Sequence, residues 1–356
     1  MINDKKRIKL LDYMKIVAII MVISLHASLW NTNFITNGTF STYFQYSLRL
    51  VMEGVPIFLL VNGYLKLSKK YDLKKHISKT TKLFIIYCIW VLILTIILSI
   101  INKNVISFSS LIELFLQSSS NNPYTGILWF LRYLILIYIF FPIIKYLFDN
   151  NYELFKYLFI ILIIFTFGFN ILYLIIDLIN YKGNYQILIL LKSFIDSFNI
   201  KIVDNIFLIY FMFGGIFYKE KDKYCTKKTL LIGMISWVIA ITYGIVMSKL
   251  NNTLYPDNYN YSQIMLMFFI LGLMYISTKI EIKNKNINKL TSSISDNSMG
   301  IYLIHIIVIT VINIFCPIIK FNFITRFLIT FIILIISWIL SVIMRKVPII
   351  NRIIKI

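Results

Sequence analysis

The sequence predicts an all-α, polytopic membrane protein of about ten transmembrane helices with both termini in the cytoplasm. Three observations carry this. First, 59% of the 356 residues are hydrophobic and only 14% are charged, too few charges to solvate a globule of this length. Second, mean hydropathy is +0.81, and apolar runs long enough to cross a bilayer recur along the whole chain. Third, lysine and arginine alternate between successive connections, as the positive-inside rule requires.

The spans fall at roughly 14–30, 47–66, 83–101, 127–146, 154–179, 204–218, 229–248, 261–278, 297–316 and 322–344. The sixth is short and follows another apolar stretch at 186–199, so one of the two is expected to be re-entrant or interfacial. Lys5, Lys6, Arg7 and Lys9 precede the first span, and seven lysines lie between Lys66 and Lys82. Connection 31–46 has neither Lys nor Arg, and 102–126 has only Lys103. Later clusters at 219–228, 279–289 and 345–355 keep the alternation, which an even span count satisfies with both ends inside. The net charge of +21 is therefore distributed by topology and does not indicate a nucleic-acid partner. A cleavable leader over residues 1–30 is the competing reading of the N-terminus, but the apolar span continues past Ala27 into Trp30. Residues 1–356 are read as one membrane-embedded domain. Cys88, Cys225 and Cys316 are odd in number and lack metal-ligand spacing, so neither disulfide nor metal is expected.

Charged side chains inside spans cost several kcal/mol and mark candidate function. Lys15 and His26 share one face of the first span, about 16 Å apart along the axis, with Asp12 a turn below Lys15. Snorkelling to the interface would explain Lys15, and an interhelical hydrogen bond would explain His26. In the second span Arg49 and Glu53 are spaced i, i+4 and could pair. Arg132 follows Trp129, and His305 follows Tyr302, each by one turn. His26, Arg49, Glu53 and Arg132 fall at one depth, in the outer half of the bilayer, which suggests one cavity. Asp177 and Lys145 read as span-end residues.

These segments resemble the acyltransferase-3 family of integral-membrane O-acyltransferases. Lys15 to His26 is similar to that family's Arg/Lys-x10-His signature. The run from Arg49 through Glu53, Pro56 and Gly63 to Leu65 resembles its second-span segment. Leu128-Trp-Phe-Leu131 with Tyr138 and Pro142, and Gly300-Ile-Tyr-Leu-Ile-His305, resemble two further family segments. Asn62 stands where the family usually has serine, and Lys15 where it more often has arginine. The likeness runs over nearly the whole chain without an SGNH domain, which implies the single-domain subgroup.

The resemblance implies transfer of an acyl group, in the first instance acetyl, from acyl-CoA to a hydroxyl of a surface or lipid-linked glycan in the bacterial cytoplasmic membrane. Acyl-CoA is then a co-substrate, with no permanently bound cofactor; the other partners are the glycan acceptor and membrane lipids. His26, Lys15 and Glu53 are the expected catalytic residues: His26 as general base, Lys15 on CoA or the thioester oxygen, Glu53 orienting an imidazole or sugar hydroxyl. Arg49, Arg132, Trp129, Tyr302 and His305 are expected to bind substrate. Direct transfer and a covalent acyl-histidine relay both fit. A transporter or flippase for a surface polysaccharide is the alternative from another class, as is a glycan polymerase. The sequence shows neither a two-fold repeat nor a large external loop that would favour them.

Overall fold

The structure, a computed structural model, describes residues 7–29, 47–48, 52–103, 107, 109, 112–113, 125–180, 186–197, 205–250, 263–318 and 323–354. Arg49 lies outside the described residues. The chain is a bundle of helices in which one apolar cluster joins most of the elements. In chain order these are α1 (Lys9–Ser24), running into a π turn (Leu25–Leu29), α2 (Val55–Leu67) and α3 (Leu73–Ile101). A 3-10 turn (Gly126–Leu128) leads into α4 (Trp129–Asn150). Next, α5 (Tyr152–Ile163) continues through a second π turn (Ile164–Gly168) into α6 (Phe169–Asn180). The remainder are α7 (Gln186–Ser197), α8 (Asn205–Lys219), α9 (Lys227–Leu250), α10 (Gln263–Lys279), α11 (Lys285–Phe315), α12 (Phe323–Lys346) and α13 (Pro348–Ile354), with one short helical turn (Lys221–Tyr224) between α8 and α9.

Among the described residues, seven helices are long and apolar enough to cross a membrane, and they coincide with the first, third, fourth, fifth, seventh, ninth and tenth spans read from the sequence. The second, sixth and eighth spans fall on α2, α8 and α10, helices of 13, 15 and 17 residues. At 1.5 Å per residue these reach about 20–26 Å, short of a hydrocarbon core of about 30 Å. In the stretch before the sixth span, α7 has only 12 residues, and most of its described side chains are exposed.

Two helices begin well before their apolar segments. Hydropathy starts the third and ninth spans at 83 and 297, whereas α3 and α11 begin at Leu73 and Lys285. Their first turns are polar and are started by side-chain caps. The Asp72 carboxylate accepts from the Lys75 N–H, and the Asn284 side chain accepts from the N–H groups of Asn286 and Ile287. Hydropathy sees only the part of a helix that lipid touches, so such extensions escape it.

The helices meet where small residues let backbones approach, as is common where no hydrophobic force separates protein from lipid. On α2, a Cβ at Gly63 would overlap the Phe211 carbonyl of α8; a Cβ at Gly214 of α8 would overlap the Leu60 carbonyl of α2. Further close pairs are α9 with α10, α11 with α12, and α1 with both α2 and α11. The C-terminal α13 returns to α3, where Trp90 Nε1 donates to the Ile353 carbonyl at 2.8 Å. Lys145, 4% exposed, donates from Nζ to the Leu67 carbonyl at 3.0 Å. It thereby satisfies a C-terminal carbonyl of α2 that has no intrahelical donor.

A proline inside α4 has a specific consequence. Pro142 has no N–H, so the carbonyl of Tyr138, four residues earlier, loses its helical partner. His76 of α3, 7% exposed, fills the vacancy: its Nε2 lies 2.8 Å from that carbonyl. Because a carbonyl only accepts, Nε2 carries the proton. His76→Ala should therefore destabilise the detergent-solubilised protein by about 1–3 kcal/mol, read as a lowered melting temperature. Pro142→Ala restores the missing N–H, so in that background the same substitution should cost less by about 1 kcal/mol or more. Equal losses in both backgrounds would contradict this pairing.

Candidate active site

The site is built on α1 and α11, and polar side chains fasten these two helices at the lysine-rich end of the bundle. Asp12 of α1 is 5% exposed. It accepts from Arg7 Nε at 2.5 Å and from Ser295 Oγ of α11 at 2.7 Å. Arg7 also reaches Asp296, with Nη1 at 2.9 Å from its carboxylate. The carboxylates of Asp12 and then Asp296 push the Arg7 pKa above its ordinary value, so this cation is permanent. On the other side of α11, Trp338 Nε1 of α12 donates to Ser293 Oγ at 3.0 Å, and Ser341 Oγ donates to Asn297 Oδ1 at 3.1 Å. The polar first half of α11, silent to hydropathy, is thus the strut that aligns it.

Within this frame a cavity of about 750 Å³ opens among α1, α2, α3, α4, α11 and α12. Among the described residues six basic side chains line it, Lys15, Lys66, Lys69, Lys79, Lys82 and Arg345, against the single carboxylate of Asp296. Its apolar walls include Phe58, Val61, Leu65, Phe130, Leu134 and Met299. Asn62 and Tyr138 also face it, held together by a bond from Tyr138 Oη to Asn62 Oδ1 at 3.0 Å. Lys66 Nζ lies 4.2 Å from the centre of the Tyr138 ring, a cation–π contact. The residue at position 62 thus has a defined task here: its carbonyl oxygen fixes the tyrosine of the wall.

The inner wall includes Tyr302. Its hydroxyl donates to the carbonyl of Ile127 in the 3-10 turn before α4, and its ring meets Phe130 edge-on at 5.5 Å. One turn further along α11 is His305, fully buried at 0% exposure. Its Nδ1 lies 2.5 Å from the Tyr302 carbonyl; since that oxygen only accepts, Nδ1 carries the proton. In the uncharged ring Nε2 then holds the lone pair, and this atom is buried with no hydrogen-bond partner among the described residues. His26 comes from the π turn of α1 and meets His305 with ring centroids 5.3 Å apart, planes inclined by 47°. π turns within helices are frequent at functional positions.

The structure thus brings His26, His305 and Tyr302 together and sets Lys15 and Tyr302 on the same cavity. Glu53 is half-buried immediately before α2, within electrostatic reach of Tyr210. The glycine after it lets α2 touch α1: a Cβ at Gly54 would overlap the Ala18 carbonyl and press on Val22. Ala18 and Val22 lie two turns and one turn below His26, on its face of α1. Arg132 is half-buried on α4, with Nε buried and unpartnered among the described residues. Trp129 packs its ring against Phe207 and Tyr133, at 5.2 and 5.9 Å. Neither Glu53, Arg132 nor Trp129 lines the basic cavity. Four of the seven lysines from Lys66 to Lys82 do, namely Lys66, Lys69, Lys79 and Lys82, although their spacing in the sequence speaks only for topology. Among the described residues, no group of three or more His, Cys, Asp or Glu side chains could hold a metal ion.

Gly54→Val should separate α1 from α2 and lower stability by about 1–3 kcal/mol, measured as melting temperature in detergent. Gly168→Ala, whose added Cβ meets only Ile164 Cγ2 at 3.8 Å, should stay within about 0.5 kcal/mol of the parent. Equal behaviour of the two variants would contradict the close α1–α2 approach.

No curated protein and no solved structure matches the chain. An acyltransferase domain family matches residues 8–345, a stretch that holds α1 through nearly all of α12, the basic cavity and both histidines. On that match the chain belongs to the acyltransferase-3 family, and it is a multi-pass membrane acyltransferase.

Proposed function

We propose that this acyltransferase moves an acyl group, in the simplest case acetyl, from acyl-CoA to a hydroxyl of a cell-surface or lipid-linked glycan. The observation that carries this reading is the basic cavity, which runs to Tyr302 one turn from the His26–His305 pair. A donor bearing several phosphates and a long, thin arm suits a chamber with six cationic side chains and aromatic inner walls.

In this reading the lysine-rich end faces the cytoplasm, both termini are cytoplasmic and the membrane is the bacterial plasma membrane. Residues 1–356 act as one membrane-embedded acyltransferase domain. The donor enters from the cytoplasm, with Lys66, Lys69, Lys79 and Lys82 on its phosphates. Lys15, deeper along α1, meets the arm or the thioester oxygen as negative charge develops there. His26 takes the proton of the acceptor hydroxyl as its oxygen attacks the acyl carbon. Glu53 serves the acceptor side, orienting a sugar hydroxyl or the imidazole. Arg49, Arg132 and Trp129 belong to the acceptor as well, on glycan oxygens and a sugar face. Tyr302 and His305 contact the acyl end. No resident cofactor is required.

Binding of acetyl-CoA to the purified protein tests the donor. It should weaken with rising salt, and Lys69→Glu or Lys79→Glu should each weaken it about tenfold, which is about 1.4 kcal/mol. Binding indifferent to both salt and charge reversal would refute a phosphate-binding cavity. For the chemistry, membranes carrying His26→Ala at equal protein level should transfer labelled acyl groups to glycan at least about a hundredfold more slowly. Near-parental transfer would remove His26 as the base.

A further inference from the structure

We propose that His305 is itself catalytic: its Nε2 takes the acyl group from the thioester, and the acceptor hydroxyl, served by His26, receives it from His305. The inference rests on the acyl-CoA reading above and deepens it by naming the residue that carries the acyl group.

Three features of the geometry converge on Nε2. The tautomer is fixed from behind: Nδ1–H is committed to the Tyr302 carbonyl at 2.5 Å, so the lone pair sits on the opposite side of the ring. That lone pair is buried without a partner among the described residues, on a residue with 0% exposure. Buried acceptors are ordinarily satisfied because leaving one bare is costly, and a bare one just behind the wall of a substrate chamber is poised for a reactant. Position supplies the third. The residue whose carbonyl holds the ring, Tyr302, is also a wall of the basic cavity, 5.8 Å from His305 between ring centroids. The His26 ring lies at 5.3 Å. His305 therefore lies one residue behind the cavity wall at Tyr302, with the second imidazole against it.

The chemistry closes in two steps. In the first, Nε2 attacks the thioester carbonyl carbon; the N–C bond forms, the C–S bond breaks, and the CoA thiolate departs into the cationic cavity. The resulting acyl-imidazolium keeps its Nδ1 proton directed at the Tyr302 carbonyl, whose partial negative charge stabilises the cation. In the second, the acceptor hydroxyl gives its proton to His26 as its oxygen attacks the acyl carbon. The O–C bond forms and the N–C bond breaks, which returns His305 to its starting tautomer. The proton on His26 is released, matching the one that the thiolate takes up from solution, so the sum is thioester plus alcohol giving ester plus thiol.

Such a relay makes the donor half-reaction independent of the acceptor. The full chain, purified in detergent, is incubated with acetyl-CoA and isotopically labelled free CoA in the absence of any glycan. Label should pass into acetyl-CoA, and His305→Asn, in which an amide N–H replaces Nδ1–H but no group replaces Nε2, should slow that exchange by at least about a hundredfold. Acetyl-CoA binding is measured on the same samples. Binding without exchange in the parent protein, or exchange that survives in His305→Asn, would overturn the relay and leave the donor reading intact. A parent protein that does not bind acetyl-CoA would overturn both. If His305→Asn fails to bind, the parent protein is quenched during exchange and its peptides are weighed. An acetyl mass on the peptide bearing His305 supports the relay; an acetyl mass confined to other peptides, or none, overturns it.

Discussion

The contact between the imidazoles of His26 and His305 is the interaction on which the proposed mechanism depends. The two residues are far apart in sequence and come from α1 and α11. Neither helix alone can bring the two rings together, and their meeting depends on how the helices are held. At one end they are joined by Asp12, which ties Arg7 to Ser295, and by the reach of Arg7 to Asp296. Along its length α1 is pressed against α2 at Gly54. A buried carboxylate that kept only one of its partners would be expensive, so this end of the frame is specific as well as stable.

In the proposed mechanism the cavity and the paired rings divide the chemistry by polarity. Towards the lysine-rich end the walls are cationic and open, suited to phosphate and to a leaving thiolate. Deeper, Phe130 and Tyr302 pack edge-on and the surroundings become apolar, so charge that develops there is felt strongly. Fixed dipoles, such as the Tyr302 carbonyl behind His305, then do more than water could, since they need not reorient as the reaction proceeds. Asn62 and His76 act at one remove. The first holds the Tyr138 hydroxyl and the second holds the Tyr138 carbonyl freed by Pro142, so one cavity-wall residue is fixed at both ends.

Much of this was legible in the sequence, for identifiable reasons. Bilayer-length apolar runs and alternating lysines report a solvent, and a helix lies at each expected span, seven of them among the described residues long enough to cross a membrane. Charge within those runs singled out Lys15, His26 and His305, because lipid makes such residues conspicuous. What escaped was whatever does not contrast with its surroundings. The lysines from Lys66 to Lys82 were absorbed by the topology rule, although four of them face the cavity. His76 gives no signal among them because it lies in a polar tract, and its partner is a backbone carbonyl exposed by a proline. The polar beginning of α11 carries no hydropathy signal, yet it aligns His305. The grouping of His26, Arg49, Glu53 and Arg132 rests on depth alone, and depth does not fix the angle about a helix axis. Arg49 lies outside the described residues, and neither His26, Glu53 nor Arg132 lines the basic cavity.

The central claim is spatial: the paired imidazoles stand at the inner end of the cationic chamber that receives the donor. An electron cryo-microscopy map of the protein with a non-transferable acyl-CoA analogue tests it most directly. The account predicts phosphate density among the lysines and the acyl end beside Tyr302, within contact distance of His305. A map with the analogue elsewhere, or with the His26 ring turned into lipid and away from His305, would contradict it.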